Sequence, residues 1–324
     1  MSDKLLITPY TIRGIVLDAS GSVPPGWYSR IYEDTRWRAF ARDDYSLRGI
    51  MEGGVARAGH YEYLAPLHYG DRVEIGTWVV RVGRTSFDFG HRIVRVADGS
   101  VAARARMTVV NLDENGPAPI DPVVADFVLD EPAPPARPWP DGERAHAWTR
   151  SWLVRPSDQD SFRHVNQARY VDYIDDTRWF AAQAGEAAGL EGRLSGLSVE
   201  YIREAHAGEE VQMETWIVGP NKRAYELTLR RTGQVLTRGL AELAEQGVED
   251  VERPRGQEGG EPPTQKLAPP ATEERRRPEV RLGDEPGLLQ GEVSHRGGVE
   301  EVEVLALGVH ELRLCPAELL VLHL

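Results

Sequence analysis

Apolar positions along the chain follow two rhythms, helical spacing in two stretches and strand-like alternation in the runs after each. In the later stretch, Tyr170, Tyr173, Ile174, Thr177 and Ala181 fall on one stripe of a helix that begins after Asn166 and runs to about 185. Asn166 suits the cap, because a short amide accepts from the unpaired N–H groups of a first turn. The earlier helix is predicted over about 24–43, and a proline in its opening turn forfeits no bond that a helix would have made. A strand at 5–16 precedes it. Strands at 60–64, 73–80, 86–96 and 101–112 follow, the last two split by the turn Ala97-Asp-Gly-Ser100. The second half repeats the order with a strand at 147–154, its helix, and strands at 197–204, 210–218, 223–231 and 235–243. One long helix followed by successive antiparallel strands implies an α+β unit, a curved sheet wrapped around a central helix.

The repetition extends to residue identity. An offset of 142 carries Asp18, Val23, Tyr28, Asp34, Thr35, Arg36 and Trp37 onto Asp160, Val165, Tyr170, Asp176, Thr177, Arg178 and Trp179. An offset of 138 carries Glu62-Tyr63, Gly70, Val73 and Thr77-Trp78 onto Glu200-Tyr201, Gly208, Val211 and Thr215-Trp216. The slip between the two registers is one loop deletion. The chain is an internal duplication.

The expected organisation is a first domain over 1–128, a proline-rich linker over 129–146 centred on Glu131-Pro-Ala-Pro-Pro-Ala-Arg-Pro-Trp-Pro-Asp-Gly142, and a second domain over 147–250. Residues 251–324 form a low-complexity tail, expected to be largely disordered, with weak alternation at 299–324 and no counterpart in the first repeat. At 324 residues there is room for two full cores. The net charge of −13 is spread without a basic stripe, which argues against nucleic acid as a partner. Cys315 is the only cysteine, so no disulfide framework is possible within one chain. The amino terminus lacks the apolar core of a signal peptide, and no apolar run approaches a bilayer's thickness. A cytoplasmic protein is expected, either a monomeric pseudo-dimer or a homodimer of it.

Candidate chemistry concentrates ahead of the second helix. Asp160 and His164 lie on the loop feeding its amino terminus, where unpaired N–H groups and the positive end of the dipole converge. A carboxylate, an imidazole and an anion site within a few residues suit chemistry on a carbonyl. The bland alternatives are a capping or turn aspartate and a hydrogen-bonded loop histidine. No His/Cys cluster has metal-ligand spacing, and neither metal nor cofactor is expected. Trp37 and Trp179 read as packing residues of paired helices.

A helix cradled by an antiparallel sheet, twice in tandem, resembles the hot-dog fold with two protomers fused. Asp160-Ser-Phe-Arg-His-Val-Asn-Gln-Ala-Arg-Tyr170 resembles the Asp-x-Asn-x-His-Val-Asn-Asn-x-x-Tyr signature of double hot-dog acyl-ACP thioesterases. Asp18-Ala-Ser-Gly-Ser-Val23 resembles the Asp-Pro-Ala-Gly-x-Val loop of the related 4-hydroxybenzoyl-CoA thioesterase superfamily. The resemblance covers about 5–246. It implies catalytic Asp160 and His164, and a catalytic Glu204 within Val199-Glu-Tyr-Ile-Arg-Glu-Ala205, in the strand that follows. Asn166 and Phe162 are implied to line the substrate. Phe162 replaces the family's asparagine, and Ala205 its cysteine. In the first repeat Ser22 and Pro66 stand at the positions of His164 and Glu204, which leaves Asp18 as a secondary or vestigial site.

The expected function is hydrolysis of an acyl-CoA or acyl-ACP thioester. Asp160 or Glu204 would serve as base or nucleophile, His164 would orient water or protonate the thiolate, and helix N–H groups would hold the oxyanion. One alternative is an enoyl or 3-hydroxyacyl thioester hydratase or dehydratase, whose Gly-Asp-x-Asn-Pro-x-His pattern differs in spacing and lacks a match at Ser157 or Gln159. The other is a non-catalytic acyl-thioester-binding protein, favoured by Phe162 and the tail.

Overall fold

The structure, a computed structural model, describes residues 4–40, 54–140, 144–185 and 192–244. The tail, its weakly alternating segment at 299–324 and the last residues of the first predicted helix, 41–43, lie outside the described residues. Strand β1 (Leu6–Thr11) leads through a single 3-10 turn (Gly14–Val16) to helix α1 (Pro25–Phe40). Strands β2 (Gly54–Tyr63), β3 (Arg72–Val82), β4 (Ser86–Arg95) and β5 (Val101–Asp113) follow, with the short β6 (Gly116–Pro117) folded back on β5. The second repeat comprises β7 (Ala145–Leu153), a 3-10 turn (Pro156–Asp158), helix α2 (Gln167–Gln183), and strands β8 (Leu194–Tyr201), β9 (Glu210–Gly219), β10 (Lys222–Leu229) and β11 (Val235–Leu243).

The strands form one antiparallel sheet in the order β1-β3-β4-β5-β2-β8-β11-β10-β9-β7. The second half is the first half reversed, and the two meet at β2 and β8. At that seam Ala58 faces Glu200, His60 faces Ser198, and Glu62 faces Gly196. His60 and Ser198 are the same position of the two repeats, and the pseudo-twofold axis passes between them. Two hot-dog units thus share a continuous sheet, and neither leaves an open edge at the junction.

Each helix buries one face against its half of the sheet. On α1 the face is Tyr28, Ile31, Tyr32, Thr35 and Arg36; on α2 it is Ala168, Tyr170, Val171, Tyr173, Ile174, Thr177 and Ala181. Each fully buried large apolar side chain contributes on the order of 1.5–3 kcal/mol, so packing rather than helix propensity fixes these helices. Equivalent aromatic pairs recur: Tyr28 meets Tyr63 at 5.2 Å, and Tyr170 meets Tyr201 at 5.9 Å.

Three sequence expectations need correction. The first strand ends at Thr11 rather than at 16, because the chain turns at Gly14–Val16. The strand expected to reach Glu204 ends at Tyr201, since the Ile202 and Arg203 N–H groups both converge on the Leu236 carbonyl and the ladder cannot continue. Glu204 therefore sits on a loop. Trp37 and Trp179 are not core residues, being 41% and 56% exposed off the stripe that faces the sheet, although Trp179 meets Phe180 edge-on at 4.9 Å. The linker, by contrast, does pack: Trp139 meets Trp216 edge-on at 5.8 Å, and Arg137 pairs with Glu242 at 3.2 Å.

Candidate active site

The loop before α2 is a tight backbone structure built around Asp160. The Asp160 N–H donates to the His164 carbonyl at 3.0 Å, and the Arg163 N–H donates back to the Asp160 carbonyl at 3.1 Å. The Asp160 side chain accepts from the Phe162 N–H at 2.9 Å. Arg163 closes the loop in the left-handed region, at φ 64°. The first repeat has the same set: Asp18 N–H to Ser22, Gly21 N–H to Asp18, Ser20 N–H to the Asp18 carboxylate, and Gly21 at φ 79°. The two loops share one backbone design and one aspartate, and the second carries His164 where the first has Ser22.

In the second loop Asp160 Oδ2 and His164 Nδ1 lie 3.5 Å apart. That separation is long for a hydrogen bond and suits a pair that tightens around substrate. Phe162, half exposed, stacks on His164 with ring centres 5.8 Å apart and planes 12° from parallel. Burial raises the Asp160 carboxyl above its ordinary range, Glu33 adds to this, and His164 and the Phe162 N–H oppose it. A raised carboxyl makes a stronger base.

Asn166 caps α2 by accepting from the Ala168 N–H at 2.8 Å, as its position in the sequence predicts. Its amide nitrogen also reaches into the other repeat, donating to both carboxylate oxygens of Glu33 at 3.0 and 3.1 Å. Beneath the loop, Asp158 is buried and accepts from the Arg155 N–H and the Tyr173 hydroxyl, each at 2.9 Å.

Asp160 pairs with His164 and Glu204 with His206, while the Val165 N–H donates to the Ala205 carbonyl at 2.8 Å, which sets the residue after Glu204 against the loop. Glu204 is 63% exposed and pairs with His206 at 3.4 Å. His206 Nδ1 then lies 3.1 Å from the Arg163 carbonyl, so the Glu204–His206 pair is fastened to the back of the Asp160 loop. The carboxylates of Glu204, Asp160 and Glu209 all surround Tyr170, whose hydroxyl is pushed up mainly by burial and further by these charges. His206 escaped the sequence reading, yet its signal was present. His68 and Gly70 recur as His206 and Gly208 in the same register, and His68 Nδ1 meets the Gly21 carbonyl at 3.2 Å in the same way.

Asp18 lies in a different setting. Its carboxylate is taken up by the Ser20 N–H at 2.8 Å and the Ser20 hydroxyl at 2.6 Å, with no imidazole at Ser22.

Solved structures with this arrangement include an acyl-ACP thioesterase from Bacteroides thetaiotaomicron, 19% identical with a TM-score of 0.64, the match covering 75% of this chain and 98% of that one. The 12:0-ACP thioesterase from Umbellularia californica is 16% identical with a TM-score of 0.63, covering 74% of this chain and 94% of that one. At such identity the likeness is one of fold, and the fold is the tandem hot-dog. No curated protein matches the sequence. A family profile described as the thioesterase-like superfamily matches residues 17–128 and 154–244, the body of each repeat without its first strand. The chain belongs to the thioesterase-like superfamily.

Proposed function

We propose that the chain hydrolyses an acyl-CoA or acyl-ACP thioester at the Asp160 loop, as a cytoplasmic enzyme with both repeats of one chain contributing to the site. The observation that carries this reading is the pairing of a partly buried, proton-hungry Asp160 with His164 at the mouth of a capped helix. Asp160 acts as general base toward water, or attacks the carbonyl directly to give an anhydride that water then opens. His164 donates the proton that the departing thiolate needs. Backbone N–H groups at the start of α2 face the developing oxyanion. Glu204 acts at one remove, through His206 and the carbonyl of Arg163, rather than on the substrate. Phe162 covers one face of His164 and shields it from solvent. Asp18, already satisfied by Ser20, takes no part.

The test is thiol release from a panel of acyl-CoA and acyl-ACP thioesters of graded chain length. Asp160→Asn is expected to lower kcat by at least about a hundredfold, a typical loss for a group acting in the transition state. Glu204→Gln is expected to cost far less. An Asp160→Asn protein with intact turnover would remove the assignment. Tight binding without turnover in the unaltered protein would replace the enzyme reading with that of a thioester-binding protein.

A further inference from the structure

The two loops are equivalent in backbone, and what differs is the acid that the opposite helix presents to each. Facing the Asp160 loop that acid is Glu33 of α1, and at the equivalent position of the other repeat it is Asp175 of α2. Asp175 is consumed within its own helix: Arg178 donates to its Oδ1 from Nε at 3.0 Å and from Nη2 at 2.7 Å. The equivalent arginine beside Glu33 is Arg36, which is buried and places Nη1 3.4 Å from His91 Nε2 instead. Glu33 is thereby left to the other repeat, where Asn166 holds both of its oxygens. The position equivalent to Asn166 is Pro24, which has no side-chain donor to offer Asp175.

Asn166 has every polar atom engaged. Its N–H donates to the Asp158 carbonyl at 2.9 Å, its side-chain oxygen caps α2, and its amide nitrogen takes Glu33. A change at Glu33 therefore acts on the amino terminus of α2 and on the loop hydrogen-bonded to it. The charged groups facing Asp160 are His164 from its own loop and Glu33 from α1, with Arg36 within electrostatic reach of Glu33. Glu204 and Glu209 act, with Asp160, on the Tyr170 hydroxyl.

We propose that Glu33 is a positioning residue for the Asp160–His164 site, supplied by the first repeat: it clamps the Asn166 cap through both carboxylate oxygens, while the equivalent Asp175 is captured by Arg178 of its own helix. Duplication has produced one assisted site rather than two. The inference rests on the thioesterase reading for its kinetic arm, whereas its titration arm needs no turnover.

Glu33→Gln keeps an oxygen for Asn166 and removes the charge. In the full-length protein it is expected to lower kcat about tenfold with KM within about twofold, the split produced by losing an interaction that matters in the transition state. The acid limb of the kcat/KM profile is expected to move to lower pH, because Asp160 loses a neighbouring negative charge. Asp175→Asn is expected to change neither quantity. A parallel carbon-13 titration of the Asp160 carboxyl, which needs no substrate, is expected to show the same downward move in Glu33→Gln and none in Asp175→Asn. An Asp160 titration unmoved by Glu33→Gln, or moved equally by Asp175→Asn, would overturn the proposal. Absence of thioester turnover in the unaltered protein would instead remove the thioesterase reading, leaving the titration to decide the role of Glu33.

Discussion

Arg30 and Asp172 occupy the same position in the two repeats, and they bind each other, with Nη1 3.0 Å from Oδ1 and Nη2 2.5 Å from Oδ2. On a true twofold axis a residue meets its own copy, and a charged residue would meet its like. Fusion of two copies lifts that restriction, because the two positions can diverge into a complementary pair. Gly26 belongs to the same solution, since a Cβ there would lie 1.8 Å from Asp172 Oδ1. Asp172 also accepts from Arg169 at 2.5 Å, so the acid serves both helices.

Asp172→Asn is accordingly expected to destabilise the protein by about 1.5–3 kcal/mol, the usual value of hydrogen bonds to a charged partner. Arg30→Ala is expected to cost less, because Arg169 remains on the carboxylate. Urea unfolding decides it: the midpoints should fall in that order with the slope unchanged. Equal midpoints for Asp172→Asn and the unaltered protein would mean that the helices are held by packing alone.

The duplication made much of this legible beforehand. Two fixed offsets implied equal elements in equal order, and the helix stripes through Tyr170 and Tyr173 identified the buried faces. The cap at Asn166 and the pairing of Asp160 with His164 were local, within four positions, and local chemistry is readable in sequence. Glu33 was not, because its partner lies 133 residues away and the contact exists only once the repeats associate. The end of β8 was missed for a related reason, since the two N–H groups that stop the ladder meet a carbonyl from β11. Trp37 and Trp179 misled because aromatic type suggests burial, whereas phase around the helix decides it.

Asp158 gives a second test. Burial alone would raise this carboxyl, but hydrogen bonds from Arg155 and Tyr173 and the charge of Arg169 outweigh it and hold it below the ordinary range. A carboxyl depressed in the folded state adds stability above its unfolded value, near pH 4, that is lost as pH falls through the folded value. The first repeat solves the same packing problem without charge, with buried Val16 and Ile31 at the positions of Asp158 and Tyr173. Asp158→Ala is expected to cost about 1–3 kcal/mol, since it leaves the buried Tyr173 hydroxyl unsatisfied, whereas Arg155 is largely exposed and keeps water. The double change Asp158→Val with Tyr173→Ile is expected to recover part of that and to flatten the acid limb of stability. A double variant no better than the single one would show that Arg155 and Arg169 depend on the carboxylate.

His60, on the seam, predicts the behaviour at milder acidity. Its Nδ1 lies 2.9 Å from the Ser198 hydroxyl, and burial, with Arg106 and Arg137 nearby, lowers its pKa to about 4. The unfolded chain takes up that proton near pH 6.5, so between about 6.5 and 4 the unfolded state binds more protons. Stability should therefore fall with decreasing pH by about 1.4 kcal/mol per unit for this group. His91, which burial holds well below its ordinary value, acts with the same sign. His60→Asn preserves a partner for Ser198 and should make the slope of unfolding free energy shallower across that window without abolishing it. An unchanged slope would mean that His60 is protonated in the folded protein.

The Asp160 loop carries a conformational cost that its counterpart avoids. Arg163 sits at φ 64° where the first repeat has Gly21 at φ 79°, and the left-handed region costs a residue with a Cβ about 1–2 kcal/mol. Glycine recovers that strain but loses roughly 0.5–1 kcal/mol through the freedom it gains when unfolded. Arg163→Gly is thus expected to leave stability unchanged or to raise it by up to about 1.5 kcal/mol, a few degrees in melting temperature for a unit of this size. The converse change isolates the backbone contribution. A Cβ at Gly21 would meet nothing within 4 Å, so Gly21→Ala can act only through φ and is expected to destabilise by about 1 kcal/mol. Melting curves of the two variants should move in opposite directions or leave Arg163→Gly in place. If both fall, the Arg163 side chain holds the loop more firmly than the strain loosens it, and its role in shaping the Asp160 turn is one of contact rather than conformation.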